Sequence, residues 1–160
     1  MPYKRPVSVL VVIYAQDTGR VLMLQRRDDP AFWQSVTGSL EAGESPRQTA
    51  LREVMEEVAI DINGEHLPLI DCQRRVDFEI FAHLRHRYAP GVQRNTESWF
   101  LLALPHERPV TLSEHLAWRW LDAREAAALT RSWSNRQAIE EYVINCACNG
   151  DSGEKYGRPQ

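Results

Sequence analysis

The hydrophobic pattern changes period twice along this chain. Pro6 to Tyr14 is a run of β-branched and apolar residues interrupted only by Ser8, which predicts a buried strand. Asp17 to Gly19 supplies a turn, and Val21 to Leu24 predicts a returning strand. Asp29-Pro30 breaks the chain before Phe32 and Trp33. From Pro46 to Ile60 the period becomes helical: Leu51, Val54 and Val58 fall on one face at 3.6 residues per turn and must meet a core. Strand patterns resume near Leu67 to Phe81 and Ser98 to Leu104, joined by an Arg- and His-rich connection. Trp118 to Trp120 alternates as a short strand, and two helices follow at Ala123 to Thr130 and Asn135 to Asn145. The order β-β-β-α-β-β-β-α-α predicts an α/β sandwich around a mixed sheet.

A length of 160 residues suits one domain. Apolar residues at 43% and charged residues at 26% are ordinary for a globular chain and argue against disorder or a membrane class. Neither a secretory leader nor a membrane span is expected, since the longest apolar run, Val7 to Ala15, is too short. Cys72, Cys146 and Cys148 lack zinc-like spacing, which fits a reducing cytoplasm. A net charge of −3 disfavours a general nucleic-acid binder. The expected domain is 1–147, with a polar, Gly-rich and disordered tail at 148–160.

Charge is nevertheless distributed unevenly. The segment from Glu41 to Glu57 is acidic, whereas Arg74, Arg75, Arg85, Arg87 and Arg94 follow as a basic block. Ser45, Pro46 and Gln48 form a helix start with a capping box. Glu53, Glu56 and Glu57 then share a helix face at spacings i, i+3 and i+4. Like charges so placed repel by a few tenths of ~1 kcal/mol per pair. A hard divalent cation among the carboxylates makes the arrangement favourable, because Mg²⁺ prefers oxygen ligands. Arg52, one turn before Glu56, can hold that carboxylate. Taken alone, the pattern reads more readily as a solvated face with an Arg–Glu pair.

The preceding loop changes that reading. Gly38, five residues, Glu44, seven residues and then Arg52-Glu53-Val54-Met55-Glu56-Glu57-Val58-Ala59-Ile60 resemble the Nudix signature, G-x5-E-x7-R-E-U-x-E-E-x-G-U with U aliphatic. Chance agreement at its six fixed positions is on the order of one in 10⁵. One position departs: Ala59 stands where the signature has Gly, at the helix exit, where no ligand is lost. The resemblance implies an α/β/α sandwich with a mixed central sheet and a pyrophosphohydrolase using one or more Mg²⁺ ions. It implies Glu53 and Glu57 as leading ligands with Glu56 close behind, Arg52 orienting them, Gly38 letting the chain pass near the metal, and Glu44 bracing the loop. Nudix enzymes often add an acid from outside the signature; Glu114, in a turn before Trp118, is the better-placed candidate and Asp122 the weaker.

Other residues are candidates for the substrate. Lys4 and Arg26, at neighbouring strand ends, can share one triphosphate. Thr37 can donate its hydroxyl. One of Phe78 and Phe81, expected on opposite faces of a strand, can stack on a planar ring. Ser132 is also a candidate, although its position suits a helix cap. The resemblance extends well beyond the signature, from Tyr3 to Asn145, through Leu24 to Pro30, Phe32 to Ser39, Asn95 to Phe100 and Ser132 to Ile139. It runs to those Nudix members that act on a pterin triphosphate. What it implies is hydrolysis of 7,8-dihydroneopterin 3′-triphosphate to the monophosphate and pyrophosphate, in folate synthesis, with weaker action on dATP. The alternatives are a Nudix enzyme for nucleoside triphosphates or RNA 5′-pyrophosphate, which the basic block favours, and a Nudix-like binding module without catalysis.

Overall fold

A computed structural model describes residues 3–145; the expected tail at 148–160, with Cys146 and Cys148, lies outside them. The strands are β1 (Val7–Ala15), β2 (Val21–Gln25), β3 (Trp33–Gln34), β4 (Val36–Ser39), β5 (Leu69–Glu79), β6 (Arg94–Leu104) and β7 (Ala117–Leu121). The helices are α1 (Pro46–Val58), α2 (Ala123–Leu129) and α3 (Trp133–Ile139), the last continued by a π turn at Glu140–Ile144. A 3₁₀ turn at Ala82–Arg87 lies between β5 and β6.

The sheet is mixed, in the order β3-β2-β1-β6-β5, with β4 added on β1 and β7 on β2. β1 and β6 run parallel, and the other pairs run antiparallel. Because β1 is central, both its faces are covered. Val9, Val11 and Ile13 pack with Val54 and Val58 of α1, whereas Leu10 and Val12 pack with Ala126, Ala138 and Ile139 of the C-terminal helices. That arrangement is the expected three-layer α/β/α sandwich, and it explains why β1 is apolar without alternation.

Two strand boundaries differ from the sequence reading. β6 begins at Arg94 rather than Ser98, because its polar start pairs with β5 at Phe78↔Asn95 and Glu79↔Arg94. β5 is interrupted between Asp71 and Arg75, where Gln73 takes φ +54° and Asp71 accepts its N–H at 2.8 Å. β5 also ends at Glu79, so Phe81 does not continue it; Phe81 begins the 3₁₀ turn instead. No helix among the described residues is long and apolar enough to cross a membrane.

Candidate active site

α1 begins as its sequence dictates. Ser45 Oγ accepts from Gln48 N, Gln48 Oε1 accepts from Ser45 N, and Pro46 occupies the first turn. At its far end Ala59 takes a left-handed conformation, φ 60° and ψ 40°, and its N–H closes on Met55 O. This is the position where the signature has Gly, so the helix exit is retained at a backbone strain of about 1 kcal/mol.

The glutamate face is fastened from one side by Arg52. Its guanidinium donates through Nε and Nη2 to Glu44 Oε2 and Oε1 at 2.7 and 2.9 Å, and through Nη2 to Ser39 O at 3.1 Å. Its Nη1 donates to Glu53 Oε2 at 3.1 Å and Glu56 Oε1 at 3.2 Å. Glu44 also accepts from Glu41 N and Thr49 Oγ1, and these bonds, Arg52 first, hold its carboxyl down at about 2. Glu44 therefore braces the loop and does not face the cleft.

Glu53 and Glu57 lie side by side on the inward part of that face. Glu57 is 7% exposed, and its Oε1 is buried without a hydrogen-bond partner. Burial raises both carboxyls above the usual range, Glu57 the more, because each charge is removed from water beside the other. Gly38 of β4 makes this possible: a Cβ there would overlap the Glu53 carboxyl group. Glu56, with a half-exposed side chain, sits at the rim.

These residues form one wall of a cleft of about 930 Å³. Glu114 and His115 stand on the loop before β7, which is tied down by Leu116 N to Gln25 O and by Arg27 Nε to Glu114 O. Lys4, Arg26 and Arg87 also line the cleft. Burial, then the charges of Arg87 and Arg26, lower the Lys4 pKa. Arg26 and Arg87 converge on Asp28, whose carboxyl is drawn down to about 2 chiefly by its bonds from Arg26. Thr37 lines the floor and accepts from Gln34 Nε2 at 3.3 Å. The cleft thus sets buried carboxylates against a cationic wall, a charge pattern suited to a polyanion plus a divalent ion.

Glu53, Glu56, Glu57, Glu114, Arg52, Lys4, Arg26, Thr37 and Gly38 all border this cleft. Three expected substrate contacts do not. Phe78 packs edge-on against Trp133, and Phe81 packs against Phe32. Ser132 caps α3 by accepting from Asn135 N. Asp122 likewise caps α2. Among the described residues no three acidic, His or Cys side chains converge to metal-ligating distance. Even so, the unpartnered Glu57 oxygen and the all-oxygen donors beside it fit a hard cation such as Mg²⁺.

Arg87, Asp28, Gln34 and His115 also line the cleft and were missed in the sequence. Arg87 arrives because Lys4 bridges to Tyr88 and donates its N–H to Arg87 O. His115 Nε2 lies 3.9 Å from Glu57 Oε1; burial first, then the charge of Arg26, lower its pKa. Its neighbour Glu114 was the only available signal.

Residues 4–142 match the family described as the NUDIX domain. This chain belongs to the Nudix family of hydrolases. The dihydroneopterin triphosphate diphosphatase of Escherichia coli K12 is 76% identical over 145 residues, covering 91% of this chain and 97% of its own length. The Haemophilus influenzae protein of the same name is 50% identical over 91% of this chain and 92% of its own. The solved structure of the E. coli dihydroneopterin triphosphate pyrophosphohydrolase superposes with a TM-score of 0.90 at 75% identity, covering 91% of this Nudix chain and 99% of that one.

Proposed function

We propose that this Nudix hydrolase cleaves dihydroneopterin triphosphate to the monophosphate and pyrophosphate, with weaker action on dATP and other nucleoside triphosphates. The observation that carries the chemistry is the buried Glu53–Glu57 pair with its unpartnered oxygen, facing Lys4, Arg26 and Arg87 across one cleft. The pterin substrate rests on the likeness to the E. coli and H. influenzae proteins.

In this reading Glu53, Glu57 and Glu114 would hold Mg²⁺, which would supply neutralisation of the charge gathering on the phosphate oxygens. Lys4 and Arg26 hold the triphosphate so that its α–β anhydride lies along the carboxylate wall. Arg87 adds a third cation to the same wall. A water attacks in line, the new P–O bond forms as the anhydride bond breaks, and pyrophosphate leaves. The proton of that water passes to a cleft carboxylate. Arg52 fixes Glu53 and Glu56, and Glu44 fixes Arg52. The substrate is a small molecule, and the proposed setting is the cytoplasm, where Cys72 remains a thiol.

The test is pyrophosphate release from dihydroneopterin triphosphate and from dATP, with Mg²⁺ and with excess EDTA. Faster release from the pterin, abolished by EDTA, is expected. Equal or faster release from dATP would overturn the substrate, and EDTA-resistant release would overturn the metal.

A further inference from the structure

On the sheet face turned away from α1 lies a second row of polar side chains that phosphate chemistry does not use. Thr37 pairs with Leu10, and Ser39 with Ser8. Ser8 also pairs with Glu97, while Glu97 and Asn95 pair with Val76 and Phe78. Paired residues point to the same side of a sheet. The row therefore runs from Thr37 at the cleft floor, past Glu97 and Asn95, to Phe78, where the Trp133 ring packs edge-on at 6.5 Å.

Glu97 is 4% exposed and Asn95 3%. Glu97 Oε1 accepts from Trp99 Nε1 at 3.1 Å and Ser134 Oγ at 2.8 Å. Asn95 Nδ2 donates to Ser8 Oγ at 2.7 Å, and Asn95 Oδ1 is buried without a partner. Burial, against the bonds from Ser134 and Trp99, pushes the Glu97 carboxyl up to about 7. Buried acceptors are ordinarily satisfied, and a buried acid that serves only the fold usually has a cation or more donors. Here the uncommitted Asn95 amide oxygen stands beside a buried acid, between a phosphate cleft and an aromatic pair.

A dihydropterin carries its 2-amino group beside the N3–H, so that edge presents two parallel donors. A carboxylate oxygen and a neighbouring amide oxygen can accept such a pair between them. Guanine presents the same edge, whereas adenine places a ring acceptor beside its amino group. Resting on the substrate reading above, we propose that Glu97 reads this donor edge, with Asn95 beside it, and sets the preference for 2-amino-4-oxo rings over adenine. Trp133, at the exposed start of α3, moves aside to admit the ring, and Phe78 packs against it. A binding role for Phe78 thus returns by way of this second site.

The experiment compares wild type with Glu97→Gln on dihydroneopterin triphosphate, dGTP and dATP, with thermal unfolding of each protein. Glutamine keeps the volume and the bonds from Trp99 and Ser134 but replaces one acceptor by a donor. The expected result is an about 10- to 100-fold fall in kcat/KM for the pterin and dGTP, the size of one charge-assisted bond, with dATP unchanged. Asn95→Ser should shift the preference the same way by less. Calorimetry with phosphate-free 6-hydroxymethylpterin should show a Kd about tenfold weaker in Glu97→Gln, independent of metal and hydrolysis. Equal loss on all three triphosphates, or no loss, would overturn the proposal. If wild type itself fails to favour the pterin over dATP, the substrate reading falls; if wild type favours it and Glu97→Gln keeps that preference, only the role of Glu97 falls.

Discussion

Gly38→Ala places a single methyl group where β4 and α1 touch. Gly38 lies opposite Val9 in β4, on the face toward α1, and an added Cβ would overlap Glu53 Cγ, Cδ and Oε2. The obstacle is the far part of a flexible side chain, so the backbone need not shift. Glu53 must instead rotate away, losing its bond from Arg52 Nη1 and its place beside Glu57. Overpacking relieved in this way should lower stability by about 1 kcal/mol, at the low end for added methylenes. For a domain this size that is a fall in Tm of about 2–4 °C. Turnover should suffer far more, because displacing a positioned group by ~1 Å can cost about 10²-fold. The assay is thermal unfolding beside pyrophosphate release over a Mg²⁺ titration. A fall of about 10² in kcat, with a higher Mg²⁺ requirement and a nearly normal Tm, is expected. Full turnover at the normal Mg²⁺ requirement would refute the role given to the close contact.

Two further perturbations test the frame of the site. Ala59→Gly should relieve the left-handed strain at the end of α1, partly offset by the entropy of glycine, for a net gain of about 0.5–1 kcal/mol. Urea unfolding should register that gain with kcat unchanged, and a loss of stability would contradict it. Glu44 has a pKa depressed to about 2 in the folded chain, so its stabilising contribution is present above about 4.5 and is lost as pH falls toward about 2. The Tm difference between wild type and Glu44→Gln should therefore shrink across that window; a constant difference down to pH 2 would show that the Arg52 clamp does not act through charge.

The parts of this molecule that were legible in the sequence are those set by local spacing. The capping box, the apolar stripe of α1 and the glutamate ladder all lie within one helix, so 3.6-residue geometry places them without knowledge of the rest. Glu114 was recoverable because one short loop carries it to the cleft. Long-range pairing was not legible. Arg87 reaches the site through the bridge of Lys4 to Tyr88, and two other arginines of its basic block are drawn elsewhere: Arg74 to Glu141 and the Trp99 ring, Arg85 to Glu79. Phe81 was misplaced because β5 ends two residues earlier, where Ile80 N bonds Gln93 O and the 3₁₀ turn takes over. Glu97 gave no sign at all, since an acid in a polar strand start reads as surface until the parallel pairing with Ser8 buries it.

The central claim is that Glu57 is a buried carboxylate kept for a divalent cation and not for the fold. Glu57→Gln keeps its shape and removes a charge whose burial beside Glu53 is unfavourable, so the metal-free Tm should equal or exceed that of wild type. Pyrophosphate release from dihydroneopterin triphosphate by that variant, measured across a Mg²⁺ titration, should fall by at least about 10³-fold, on the order of other losses of electrostatic stabilisation at a reacting centre. A variant that unfolds at the normal temperature and turns over at near the wild-type rate would contradict the account.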